Sequence, residues 1–276
     1  MKASSRFSKA LQATPGHLLL VMLSFVAIFP LYWMFITALR APNEVFSDIP
    51  WPQNPDFSNF RRLLSEIPFA RMMTNTFVVS VASTILQVAT AVLAAYSFAR
   101  WESPVSRWLY ALLTLTWLIP AQVVMMPNFI LVSQLGLLDT LTALILPHAA
   151  SAFAIMLLYP GFRAFPRELI EAAIIDGAGP WRILLYVMLP NMRAAIASLS
   201  ILVFISIWNE YFWPLLVTRR IENSVIQIGL QMFFTSEGTM WGPLMSAASL
   251  ASLPILLIYL VLQRQIVSSF VRSGLR

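Results

Sequence analysis

Few side chains here are able to do chemistry, and their types exclude most of it. The chain has no cysteine and two histidines, His17 and His148, so disulfides, thiolate catalysis and a zinc cluster are ruled out. No G-x-x-x-x-G-K-[ST] run is present, so the chain cannot bind ATP through a P-loop. Nor do His, Asp and Ser gather in any pattern that would support a membrane-embedded enzyme. The chain is therefore expected to be non-catalytic and to carry no cofactor of its own. What remains is a small number of ionisable groups in unusual settings. Glu210 lies in the apolar run Ile207-Trp208-Asn209-Glu210-Tyr211-Phe212-Trp213-Pro214. A charge at membrane depth costs at least ~3 kcal/mol unless it faces a cavity or a partner, which makes Glu210 a functional candidate. The competing reading places it in an interfacial aromatic belt, near enough to the surface to stay wet. His148 follows Pro147 in another apolar run, where a histidine commonly hydrogen-bonds within a bundle, here to a carbonyl freed by the proline.

The second concentration of polar residues is Pro166 to Pro190, PRELIEAAIIDGAGPWRILLYVMLP, too charged to sit in lipid. Pro166 suits a first helical position and Gly177 a left-handed stop, and Gly179-Pro180 restarts a second helix that is expected to end before Pro190. Trp181, Leu184, Leu185, Met188 and Leu189 fall at i, i+3, i+4, i+7 and i+8, which predicts one apolar face. A plain surface helix with an Arg167–Glu171 i, i+4 ion pair would also satisfy this pattern.

These residues must be positioned by elements that the composition already characterises. With 59% hydrophobic and 11% charged residues, the chain departs far from the roughly 25% charged content of soluble domains. Apolar runs long enough to cross a bilayer of about 30 Å predict six spans. They lie at about 17–39, 76–99, 108–126, 141–159, 194–217 and 244–262. The first is too long for a cleavable leader and reads as an uncleaved span. Pro30, Pro120 and Pro254 fall inside spans, where kinks are tolerated if neighbours satisfy the freed carbonyls. Phe60, Leu63, Leu64 and Ile67 predict a short interfacial helix before the second span. The loop 218–242 carries Met232, Phe233, Phe234, Met240 and Trp241, which read as a lid over the helix ends.

The predicted organisation is an N-terminal segment 1–16, one transmembrane domain 17–262 with a polar loop at 161–193, and a basic tail 263–276 whose Ile266, Val267, Phe270 and Val271 share a helical face. The net charge of +6 is scattered between apolar segments, which argues against nucleic acid and for membrane topology. The termini and even-numbered loops hold 12 Lys or Arg, and the other loops hold 6. By the positive-inside rule, both termini and the Glu171 loop are expected to be cytoplasmic.

The Pro166–Pro190 stretch resembles the EAA motif of binding-protein-dependent ABC importer permeases, E-A-A-x3-G-x9-I-x-L-P. Glu171-Ala172-Ala173, Gly177 and Leu189-Pro190 match in register, and Val187 stands where the family has Ile. IWNEYFWPLLV resembles the fifth span of sugar-type permeases, and QRQIVSSFVRSGLR resembles the tail of the maltose-type group. The resemblance implies an all-α integral membrane protein of the MetI-like fold, with six transmembrane helices and a cytoplasmic coupling helix between spans four and five. It assigns Glu171, Ala172, Ala173, Asp176, Gly177, Leu189 and Pro190 to docking on an ATPase subunit. It sets Trp208, Asn209, Glu210 and Tyr211 near a substrate path, and His148, a turn or two inside the fourth span, is a further candidate for lining that path on its position alone. The implied partners are a second homologous permease, two ABC ATPase subunits that bind ATP and Mg, and an external solute-binding protein touched by part of the 218–242 loop. The substrate would be a carbohydrate or sugar derivative of the kind taken up by maltose and glycerol-3-phosphate permeases. An ion-coupled secondary transporter or channel is the alternative, and it would require several more intramembrane ionisable groups.

Overall fold

The computed structural model describes the backbone of residues 2–274 and the side chains of 16–261 and 263. The side chains of the N-terminal segment and of the basic tail, including the apolar face at Ile266, Val267, Phe270 and Val271, lie outside the described residues. The chain forms two compact units, one of the residues up to Ile67 with Leu230–Ser252, the other of Pro68–Gly229 with the residues from Leu253 on.

In the first unit, α1 (Lys2–Ala38) runs unbroken through Pro30. It leads to Arg40, a fully buried cation with no carboxylate partner among the described residues. The Arg40 guanidinium instead donates to the carbonyls of Val45, Ser47 and Ile49 and stacks on the Trp33 ring at 4.6 Å. It thereby folds the proline-rich loop back on the helix end, supplying donors to carbonyls that the loop's irregular backbone leaves open. Next comes α2 (Ser58–Glu66), whose Asn59 and Leu63 are buried. Its apolar stripe differs from the expected one, because Leu64 points outward while Ile67, just past the helix end, is buried. The 218–242 loop contributes a two-residue hairpin, Phe234–Thr235 against Gly238–Thr239, with Phe233 buried beside it. Trp241 opens α13 (Trp241–Gly274).

The second unit is built around α3 (Phe69–Arg100), against which α7 (Ala152–Arg163) and α10 (Leu189–Trp208) pack. Its core joins Ala91, Ala95, Leu144, Ala154, Leu158 and Leu199, small residues on one side allowing close approach of larger ones on the other. The third apolar run is not the single span expected at 108–126. It is α4 (Pro104–Thr116) and α5 (Ala121–Gln134), bent by 99° across residues 117–120. Pro120 cannot donate to Thr116, so the end of α4 tightens, with Leu118 and Ile119 donating three residues back to Leu115 and Thr116 before the chain turns.

The fourth run is likewise broken. α6 (Leu141–Ile145), capped by the Thr140 hydroxyl, passes into a 3-10 turn at Leu146–His148 and then, after a 42° bend, into α7. α8 (Arg167–Ile175) and α9 (Pro180–Arg182) follow, and a π-helical turn, Ile183–Met188, joins α9 to α10. The helix expected to stop before Pro190 therefore continues to Trp208. Pro190 sits in the first turn of α10, and the wider π turn before it absorbs the donor that proline lacks. The same turn displaces the expected apolar face: Ile183, Leu184 and Met188 are buried, whereas Trp181 and Leu185 are exposed. The fifth run ends at Trp208 instead of 217, and α11 (Phe212–Val217) restarts after a break at Asn209–Tyr211. α12 (Ile226–Gln231) follows.

Among the described residues, four helices are each long and apolar enough to cross a membrane, Gly16–Ala38, Phe69–Arg100, Pro180–Trp208 and Trp241–Val261, and each bent pair adds one more if it is counted as a span.

Candidate functional site

The EAA-like element is a protruding helix and turn. Gly177 adopts φ +78°, and the turn closes as a Schellman motif: its amide donates to Ile174 O, and that of Ala178 to Ala173 O, both at 2.9 Å. Glu171, Ala172, Asp176 and Gly177 are exposed and Ala173 is half-buried. Glu171 makes no intrachain ion pair, and the i, i+4 pair with Arg167 is not formed among the described residues. The same helix–turn–helix stretch leaves large apolar side chains in the open, with Ile175 86%, Trp181 64% and Tyr186 77% exposed. Exposed apolar groups beside an unpaired carboxylate are the makings of a docking face.

That face is joined stiffly to the membrane helices. Buried Tyr96, near the end of α3, donates its hydroxyl to Pro180 O at 3.0 Å and meets the ring of Phe162 on α7 edge-on at 6.2 Å. Leu189 and Pro190 lie beyond the π turn, inside a helix that runs without a break from Pro180 to Trp208. Beside the element, a cavity of about 370 Å³ is lined by Arg100, Arg163 and Arg167 together with Glu102 and Glu171.

The residues expected near a substrate path fall into two groups. Glu210 and His148 line one cavity of about 420 Å³ together with Gln87, Trp117, Ser151, Phe153 and Ser206. Both sit at helix breaks, His148 closing the 3-10 turn and Glu210 between α10 and α11, so Glu210 is not inside a regular span as the sequence suggested. Its Oε1 accepts from the Trp213 amide at 3.2 Å, capping α11. His148 does not take the carbonyl that Pro147 frees four residues back, Ala143 O; the Trp213 ring N–H donates to it at 2.9 Å instead. Trp208, Asn209 and Tyr211 do not line this cavity. Trp208 is buried against Phe204 with ring centroids 5.4 Å apart, Asn209 meets the Gln227 amide at 3.4 Å, and Tyr211 packs edge-on to Phe212. Gln87, Trp117, Ser151, Phe153 and Ser206 were missed from sequence. Gln87 alone carried a signal, as a polar residue in the Ala- and Val-rich second span.

Asp139 and Arg220 were missed too. Asp139, at φ +62°, receives the Arg219 and Arg220 amides and the Arg220 guanidinium. The Arg220 amide and guanidinium hold its carboxyl well below the usual carboxylate range. Trp213 donates its ring N–H to Ala143 O at 2.9 Å, so α11 is tied to α6 near both breaks.

The chain is similar to known transport proteins over nearly its whole length. It is 32% identical to the sn-glycerol-3-phosphate transport system permease protein UgpE of Rhizobium meliloti, covering 94% of this chain and 95% of the relative. It is 31% identical to the lactose transport system permease protein LacG of Rhizobium radiobacter, covering 92% and 93%. In fold it is similar to a chain of a bacterial ABC transporter involved in the import of the acidic polysaccharide alginate, with a TM-score of 0.81, 24% identity and coverage of 93% and 97%. A second alginate transporter structure, in complex with its pentasaccharide-bound periplasmic protein, gives a TM-score of 0.67 at 17% identity, covering 94% and 96%. Residues 87–272, which include both the EAA-like element and the Glu210 cavity, match the family model described as binding-protein-dependent transport system inner membrane component, and the chain belongs to that family.

Proposed function

We propose that this chain is the membrane permease subunit of an ABC importer for a carbohydrate or sugar derivative, delivered by an external binding protein. Each bent pair of helices makes one span, giving six, with both termini and the Glu171 turn on the cytoplasmic side. The chain is non-catalytic; ATP and Mg are bound by two partner ATPase subunits, and a second homologous permease encloses the path with this one. Closure of the ATPases moves the Glu171–Gly177 element as a rigid body, and α10 carries that motion to the break at Glu210. An ion-coupled transporter would need more intramembrane ionisable groups than Glu210 and His148 supply, and the curated relatives are permeases of transport systems.

The observation that carries this reading is Glu171, exposed and unpaired among the described residues, on a helix closed by the Gly177 turn in a stretch that also leaves Ile175, Trp181 and Tyr186 exposed. Glu171→Ala is expected to leave insertion and stability unchanged, since the carboxylate has no ion-pair partner among the described residues to lose, while ATPase co-purification with the subunit falls. Normal co-purification and normal coupled uptake in this variant overturn the assignment. The topology is tested with single cysteines, clean because the chain has none: one at Asp176 is expected to be shielded in intact cells, and one at Ser236 to label from outside.

A further inference from the structure

The family leaves the charge of the solute open, because the relatives' names cover a phosphate ester, a neutral disaccharide and an acidic polysaccharide. The cavity at the Glu210 break narrows it. Its titratable lining is one carboxylate, Glu210, and one imidazole, His148, with no Lys or Arg. Glu210 Oε1 is held by the Trp213 amide, and no cation pairs with the carboxylate among the described residues. Trp117 and Phe153 stack in the wall, with centroids 6.2 Å apart and planes at 26°, while Gln87 and Ser206 offer neutral donors and acceptors.

Aromatic faces beside amide and hydroxyl groups match the ring face and hydroxyls of a sugar. An uncompensated carboxylate in a poorly screened cleft repels a second anion. We propose that this cavity admits uncharged polyhydroxylated solutes and excludes anionic ones, with Glu210 setting the discrimination. The proposal rests on reading the cavity as part of the solute path.

The test uses the full-length chain in its assembled importer, with a single cysteine introduced as Ser206→Cys or, separately, Ser151→Cys. Each thiol is modified with a cationic trimethylammonium and with an anionic sulfonate methanethiosulfonate, the rates being normalised to those on 2-mercaptoethanol. The cationic reagent is expected to react about tenfold faster or more, as focusing by a charged cleft gives, and Glu210→Gln should bring the ratio near one. A ratio near one with Glu210 in place, or slowing of the modification by glycerol 3-phosphate or glucuronate, overturns the proposal while leaving the path reading standing. Thiols at both positions that resist both reagents, while a cysteine at Ser236 reacts, overturn the path reading and this proposal with it.

Discussion

The Arg220 guanidinium donates Nε–H to Asp139 Oδ2 at 2.6 Å, while the amides of Arg219 and Arg220 both donate to Asp139 Oδ1 at 3.0 Å. Asp139 returns its own amide to Val217 O at 2.8 Å, and its carbonyl accepts from the Asn223 side chain at 2.9 Å. One residue thus ties the start of α6 to the end of α11. The two helix breaks that bring His148 and Glu210 to one cavity are held in register from this point.

Asp139→Asn is expected to lower thermal stability less than Asp139→Val. Asn tolerates the left-handed backbone and keeps an acceptor for the two amides, whereas a β-branched residue at φ +62° adds strain to the loss of every side-chain bond. Equal thermal midpoints for the two variants would contradict the clamp. The pH dependence follows from the sign of the shift. A depressed folded-state value means that the stabilisation is present above the unfolded carboxylate value of about 3.9 and is lost as pH falls below it. The stability difference between wild type and Asp139→Asn should therefore be constant from about pH 5 to 8 and shrink only in stronger acid.

At Gly177, space is not the constraint, since an added Cβ meets nothing within 4 Å; the backbone at φ +78° is. Gly177→Ala is expected to cost the turn about 1 kcal/mol and Gly177→Val more, while Gly177→Asn is largely tolerated. ATPase co-purification should fall in the order Asn, Ala, Val, with insertion unchanged.

Gly242 presents the opposite case. A Cβ there would sit 2.2 Å from Asn59 Oδ1. Buried Asn59 donates to Arg40 O at 2.7 Å and to Ala38 O at 3.2 Å, so moving it strands carbonyls at the end of α1. Gly242→Ala should destabilise by about 1–3 kcal/mol, the cost of leaving buried polar groups unmade. Gly161→Ala meets only the mobile methyl end of Met192, at 2.8 Å, and should cost less in the same unfolding assay.

Glu210→Gln should preserve expression and assembly, because Gln keeps an acceptor for the Trp213 amide and no buried cation is stranded. Glu210→Ala removes the cap of α11 and should cost about 1 kcal/mol. Both variants should alter transport. Wild-type uptake of every solute tested by Glu210→Gln would place the carboxylate off the path.

The residues alone settled what depends on local chemistry. Apolar length fixed the membrane class, Gly177 with Gly179-Pro180 fixed the turn of the EAA-like element, and the spelling from Glu171 to Pro190 led to the family that the comparisons established. Local chemistry also misled where the outcome depended on neighbours. Pro190 looked like a helix stop, but a π turn accommodates it, and Pro30 and Pro254 interrupt nothing while Pro120 ends a helix. Whether a proline breaks a helix depends on which groups nearby can satisfy the freed carbonyls, and periodicity carries no such information. The tertiary fold alone placed Glu210 beside His148 and Gln87 and joined Asp139 to Arg220. Those contacts join segments far apart in the chain, so no local pattern in the sequence carries them.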